Sequence, residues 1–304
     1  MKKAFARAVV IALCVMTVCA LVLPASAGAA AAAAAVTFSP IPVQQSKNGD
    51  GNIVIDYTYA ADGYVSVSAK ISGRPKLAVV ITTPTNTQYK YFSTDSTGAA
   101  QKFVLSEGDG SYKVTVYKNV SGTKYTALHS KTISVRLSGD TAPFLCPNIF
   151  VDYTANTSCV RTASELCSKA GTELEKVDAI YYYVVNNFAY DYDKAKTVES
   201  GYRPELDTVW KAKKGICFDY ASTMAAMLRS QGVATKLVVG YAGTTYHAWI
   251  NIYTKDKGWI EAVIYFDGRD WKLMDPTFAS TGKSSAKIMD FISNTANYSA
   301  KYVY

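Results

Sequence analysis

From about Val36 to Leu137, apolar and polar residues alternate with a period of two. Ile53-Val54-Ile55-Asp56-Tyr57 opens the pattern. Tyr64 to Ala69, Leu77 to Thr82, Gln88 to Phe92, Lys102 to Leu105, Ser111 to Tyr117 and Thr132 to Val135 continue it. Successive side chains of a strand point to opposite faces, so this period predicts half-buried strands. Asp62-Gly63, Ser72-Gly73, Asp109-Gly110 and Ser121-Gly122 fall between the runs and supply turn chemistry. Seven short strands within residues 37–137 predict an all-β sandwich of immunoglobulin-like type. His129, near the last of them, reads as an ordinary strand residue, and the segment shows no catalytic constellation.

Gly139, Pro143 and Pro147 mark a linker, after which the period changes to three and four. Thr162 with Glu165, and Thr172 with Glu175, have the spacing of helix capping boxes. Leu174, Val177, Ile180, Tyr181, Val184, Val185 and Phe188 then form one apolar helix face. A second helix starts at Cys217, with Ala221, Met224, Ala225 and Leu228 on its inner face and Gly232 as its stop. Lys236 to Tyr241, Tyr246 to Tyr253, Trp259 to Phe266 and Trp271 to Met274 predict four strands. Asp275-Pro276 closes the set, because proline cannot extend a central strand. Residues 138–304 are therefore expected to form an α+β domain behind the sandwich.

The chemistry sits in this second part. A cysteine at a helix N-terminus meets unpaired N–H groups and the positive end of the helix dipole, which favour the reactive thiolate. His247 is the one histidine of the region, 30 residues after Cys217, and Asp275 follows 28 residues later at the end of a later strand. Strands close in sequence usually neighbour in space, so His247 and Asp275 can meet across a sheet while a helix brings Cys217 to them. Cysteine as nucleophile, histidine as base and aspartate as its orienter form a working thiol triad. The plain alternative is a core cysteine, a strand histidine and a turn aspartate that never meet.

Composition alters this picture at its edges. Lys2, Lys3 and Arg7 precede an apolar run from Ala8 to Leu23, and Ala25-Ser26-Ala27 follows as a cleavage signal. Residues 1–27 are expected to be a secretory signal peptide, and 28–36 a disordered alanine-rich lead-in. No membrane span is expected after cleavage, and the protein is expected outside the cell or at its surface. Removing Lys2, Lys3 and Arg7 lowers the formal charge from +8 to +5. The remaining basic residues are scattered among acids, which argues against nucleic acid as a partner. Cys146, Cys159, Cys167 and Cys217 remain. One pair among the first three could bridge in an oxidising compartment. Cys159 and Cys167 lie roughly 12 Å apart if helical, so a bridge from Cys146 to either is the better option.

Several motifs resemble one family together. They are Gly215-Ile216-Cys217-Phe218-Asp219-Tyr220-Ala221, Met227-Leu228-Arg229-Ser230-Gln231-Gly232, Val239-Gly240-Tyr241, Tyr246-His247-Ala248-Trp249 and Trp271-Lys272-Leu273-Met274-Asp275-Pro276-Thr277. In this order they are similar to the bacterial transglutaminase-like family of papain-like thiol enzymes, over roughly residues 140–304. The resemblance implies Cys217, His247 and Asp275 as catalytic triad, on a helix packed against an antiparallel sheet. Ile250-Asn251 departs from the Asn-acid pair common in the family and alters the expected substrate wall. Trp210 and Trp249 are candidates for lining the substrate cleft, and Asp219 is expected to support the first turn of the Cys217 helix.

The function expected is acyl chemistry on peptide or glutamine amide bonds through a thioester. Hydrolysis by a peptidase or deamidase is favoured over cross-linking, because nothing identifies a lysine-donor site. The expected partner is a protein or peptide substrate, with cell-surface or cell-wall association left open. No calcium loop or paired metal-ligand spacing is present, so no cofactor or metal is expected. The competing class is a non-catalytic extracellular binding protein that uses the sandwich.

Overall fold

The computed structural model describes residues 42–261, 264–266, 271–273 and 295–304, so the predicted leader and Asp275 lie outside the described residues. Residues 41–304 form one compact unit. Eight strands occupy its N-terminal part: β1 (Gln45–Lys47), β2 (Ile53–Asp56), β3 (Tyr64–Ala69), β4 (Leu77–Thr82), β5 (Gln88–Thr94), β6 (Gln101–Val104), β7 (Gly110–Ser121) and β8 (Lys124–Val135). They make two antiparallel sheets, ordered β1-β2-β3-β6 and β5-β4-β7-β8. Ile53, Ile55, Val65 and Val67 from one sheet and Val79, Ile81, Tyr89, Tyr91, Val114 and Val116 from the other share a core.

Two differences from the expected strands have physical causes. β1 has no apolar residue, so its alternation is invisible in the sequence. β8 begins at Lys124 rather than Thr132, because its first half is largely solvated and carries no apolar period. Its hairpin with β7 turns at Gly122, whose φ of 51° suits glycine. His129 on β8 shares a 3.0 Å hydrogen bond with Ser46 on β1, tying the edge strands of the two sheets together.

The segment read as a linker is folded onto the rest, with Pro143 and Phe144 buried in a short 3-10 turn. Then follow α1 (Ser158–Leu166), α2 (Glu173–Asn187), β9 (Ala189–Tyr190), α3 (Tyr192–Thr197), α4 (Leu206–Ala212), β10 (Lys214–Gly215) and α5 (Cys217–Ser230). Thr172 caps α2 as its spacing implies, accepting from the Glu175 N–H at 3.2 Å while Glu175 accepts from the Thr172 N–H. Thr162 caps nothing, since it lies inside α1. The start of α1 is met instead by Asp207, which accepts from the Ser158 N–H at 2.8 Å. A distant carboxylate thus replaced the local cap.

The last strands are β11 (Thr235–Ala242), β12 (Thr245–Thr254), β13 (Gly258–Ile260), β14 (Ile264–Phe266), β15 (Trp271–Leu273) and β16 (Tyr298–Val303). The expected strand from Trp259 to Phe266 is thus two, and β14 pairs with β15 as a separate hairpin. The main sheet is antiparallel, ordered β13-β12-β11-β16. β16 was not foreseen. It approaches β11 so closely that a Cβ on Gly240 would overlap the Ser299 carbonyl oxygen. All four described cysteines are free thiols, which corrects the expected bridge from Cys146. The Cys146 Sγ lies 3.7 Å from the Asp62 carbonyl, the Cys167 Sγ 3.9 Å from that of Lys176, and Cys159 is buried in the core.

Two contacts hold the helices, the sheets and the chain's last strand together. The first is aromatic. Tyr91 meets Phe103 and Phe150, and Phe150 meets both Tyr304 (4.7 Å between ring centres) and Phe218 (5.3 Å) on α5. The second is Arg229 on α5, whose buried guanidinium donates to the carbonyls of Thr235 (2.9 Å), Cys146 (2.7 Å) and Tyr304 (2.7 Å). Burial lowers its pKa to about 10, still fully charged at neutral pH.

Replacing Arg229 by Met should orphan these three carbonyls. The expected loss in a urea unfolding curve is roughly 3 kcal/mol, about 1 kcal/mol for each. Arg229→Lys should recover only part of it, because a point ammonium cannot span three separated acceptors.

Candidate active site

Cys217 is the first residue of α5 and is half-buried. The chain enters it extended, with Ile216 at φ −92° and ψ 176°. Asp219, in the first helical turn, accepts the Ile216 N–H at 2.8 Å and so fixes the backbone immediately before the thiol. Gly215 makes this turn possible, since a Cβ there would lie 2.6 Å from the Asp219 Cβ. The support expected of Asp219 is therefore present.

The Asp219 carboxylate is fully buried, and an isolated buried charge would be costly. It accepts from Lys194 Nζ at 2.7 Å and from the Tyr202 hydroxyl at 2.5 Å. Lys194 also donates to the Tyr202 oxygen at 2.6 Å, closing a three-membered network of charge-assisted bonds. Burial first, and then the bond to Asp219, push the Tyr202 hydroxyl far above the usual phenol range, so it acts as a donor. Lys194 belongs to α3, whose start is capped by Asp191, and Asp191 pairs with Lys214 at 3.1 Å. β9 and β10 pair in parallel, placing Tyr190 opposite Gly215. The approach to Cys217 is thus held from three sides.

α5 packs against β12, the strand that carries His247. His247 is buried and opposes Gly240 on β11. Its ring lies 6.4 Å from that of Trp249, nearly parallel, on the same face of the strand. Tyr246, Ala248 and Ile250 project from the other face, and Ala248 and Ile250 join the main core. Burial raises the Tyr246 pKa most, followed by Tyr302, Tyr241 and Cys217. Tyr190 responds likewise, pushed up to about 12 by burial and then by Cys217. Cys217 and His247 therefore sit on neighbouring elements, with His247 on the face of β12 opposite the one whose Ala248 and Ile250 share a core with α5, and two phenols lie within electrostatic reach of the thiol.

The candidate cleft tryptophans are engaged in packing. Trp249 is buried against Val238, Tyr298 and Val303. Trp210 stacks on Tyr183 at 5.4 Å and carries the Lys213 ammonium 3.1 Å over its ring. Burial among these rings lowers the Lys213 pKa to about 8.

Residues 160–263 match the family model for the transglutaminase-like superfamily. The chain carries a transglutaminase-like domain. It is 41% identical over 63 residues to a UPF0252 protein of Methanocaldococcus jannaschii, covering 19% of this chain and 18% of that one. To kyphoscoliosis peptidase of Homo sapiens it is 29% identical over 130 residues, covering 42% and 19%. The chain thus spans less than a fifth of the length of these curated relatives. Among solved structures it overlays on a candidate cysteine protease from Cytophaga hutchinsonii with 16% identity and a TM-score of 0.34, covering 78% of this chain and 62% of that one. Red sea bream transglutaminase gives 13% identity and a TM-score of 0.28, covering 76% and 53%.

Within the transglutaminase-like domain, the residues missed by sequence reasoning are Lys194, Tyr202, Tyr190 and Tyr246. Tyr246 stood in the motif beside His247 and was read only as strand; the other three carry no local signal. Gly215→Ala should force the 215–219 turn open. The expected cost is about 1–3 kcal/mol, read as a lower urea midpoint, together with slower alkylation of Cys217 in the folded protein.

Proposed function

We propose that the chain is an exported thiol acyl-transfer enzyme with Cys217 as nucleophile, His247 as base and Asp275 as its orienter. The observation that carries this reading is the half-buried thiol at the head of α5, braced by Asp219, on a helix packed against the strand bearing His247. The domain's family supports it, since the transglutaminase-like superfamily is usually enzymatic.

In the proposed cycle the Cys217 thiol gives its proton to His247, and the thiolate attacks the carbonyl carbon of a peptide or glutamine amide. The first N–H groups of a helix lack intrahelical partners and can hold the oxyanion that forms. Ammonia or an amine then leaves with the proton from His247, and a thioester to Cys217 remains. Water, deprotonated by His247, releases the acid and restores the thiol. Asp275 keeps the imidazole in the required tautomer throughout. Hydrolysis is preferred to cross-linking because no lysine-donor site is recognisable, and the human relative carries the name peptidase. The leader expected over residues 1–27 supports proteins or peptides outside the cell or at its surface as the substrate.

Intact mass after brief iodoacetamide at pH 6 tests this. Cys217 should take one label rapidly, far faster than an ordinary thiol with pKa about 8.5. His247→Ala should slow that labelling roughly tenfold or more, and wild-type protein should release ammonia or amine from glutamine peptides. If Cys217 stays unlabelled in folded, reduced protein, the thiol chemistry is wrong and a binding protein is the better description.

A further inference from the structure

We infer that two tyrosine pairs flanking Cys217 form an uncharged aromatic cradle that selects acyl donors with an aromatic or large apolar residue beside the reacting amide. The inference rests on the proposed thiol chemistry and names its substrate class.

One pair belongs to the β11–β12 hairpin. Tyr241 and Tyr246 oppose each other in the ladder, with rings 5.5 Å apart and tilted by 69°. Both are unusually open for their size, 42% and 56% exposed. The other pair is Tyr190 at the end of β9 and Tyr192 at the start of α3, with rings 4.9 Å apart and Tyr192 60% exposed. Tyr190 opposes Gly215, two residues before Cys217, and Tyr246 shares the face of β12 that packs with α5, so each pair has a member on an element adjoining the thiol. Isolated exposed aromatics need no explanation, but two edge-to-face pairs on elements adjoining one thiol offer apolar ring surface beside it.

The chemistry of this surface limits what it can take. The nearby charges are spent on each other, Asp191 on Lys214 and Lys194 on Asp219. Burial raises the pKa of Tyr190 and of Tyr246, so both stay protonated at neutral pH. They therefore offer ring faces, ring edges and hydroxyl donors, which suit an aromatic side chain and the carbonyls of an extended peptide.

The test compares two reagents on the full chain at pH 6, iodoacetamide and its N-benzyl derivative. In each, the Cys217 sulfur displaces iodide from the CH2 carbon and forms a thioether. The benzyl-to-parent rate ratio should exceed that of free cysteine by roughly two- to tenfold. Tyr246→Ala and Tyr241→Ala should return it to the free-cysteine value, and Tyr246→Phe should keep it. These side chains are solvent-exposed, so the variants should fold. A ratio equal to that of free cysteine, with labelling still dependent on His247, would overturn the cradle and leave the thiol enzyme standing. Failure of both reagents to label Cys217 would remove the thiol reading and the cradle with it.

Discussion

A carboxylate with no access to water governs this molecule. Asp219 can stay charged only if every side of it is filled by donors, and the chain supplies one from its own helix start, one from α3 and one from the loop after α3. Breaking such a buried pair typically costs about 3–5 kcal/mol, so the three segments are not free to move separately. Their shared position determines where the backbone turns at Gly215 and hence where the sulfur of Cys217 points. A glycine, an acid, a lysine and a tyrosine of no obvious chemical role thereby define the geometry of the Cys217 thiol.

The same helix is fixed from the opposite side by packing. Phe218 follows Cys217 directly and touches Phe150, which touches Tyr91 of the N-terminal sheets. Ser222, one turn further along α5, donates its hydroxyl hydrogen to the Phe150 carbonyl. Apolar residues from both halves therefore form one continuous core. Interiors packed this densely transmit displacement rather than absorb it. The N-terminal sheets consequently bear on the thiol through two aromatic contacts.

What could be read from the sequence follows from how local each signal is. α5, β11 and β12 stand out because their buried faces repeat at the periods of helix and strand and end at Gly232 and at turns. Cys217 and His247 were legible because they begin or interrupt those patterns. β16 was not, since four of its six residues, Tyr298, Ser299, Ala300 and Lys301, mix polarity along an edge that is half-solvated. The start of α1 was misplaced because its donor is satisfied by Asp207, far along the chain. Lys194 and Tyr202 lie 25 and 17 residues from Asp219, beyond any local period. Tertiary partners of a buried charge leave no mark on the hydrophobic pattern.

The sheet order β13-β12-β11-β16 places the last strand of the chain beside β11, which was completed more than fifty residues earlier. During synthesis β11 has one neighbour, β12, and an open edge containing Val238 and Val239. That edge is a template for any passing strand until residues 298–303 arrive, and Arg229 meanwhile lacks the Tyr304 carbonyl it later holds. The nascent chain therefore spends its vulnerable interval with the thiol helix formed and its sheet unsealed. Pairing of residues 298–303 with β11 closes that edge.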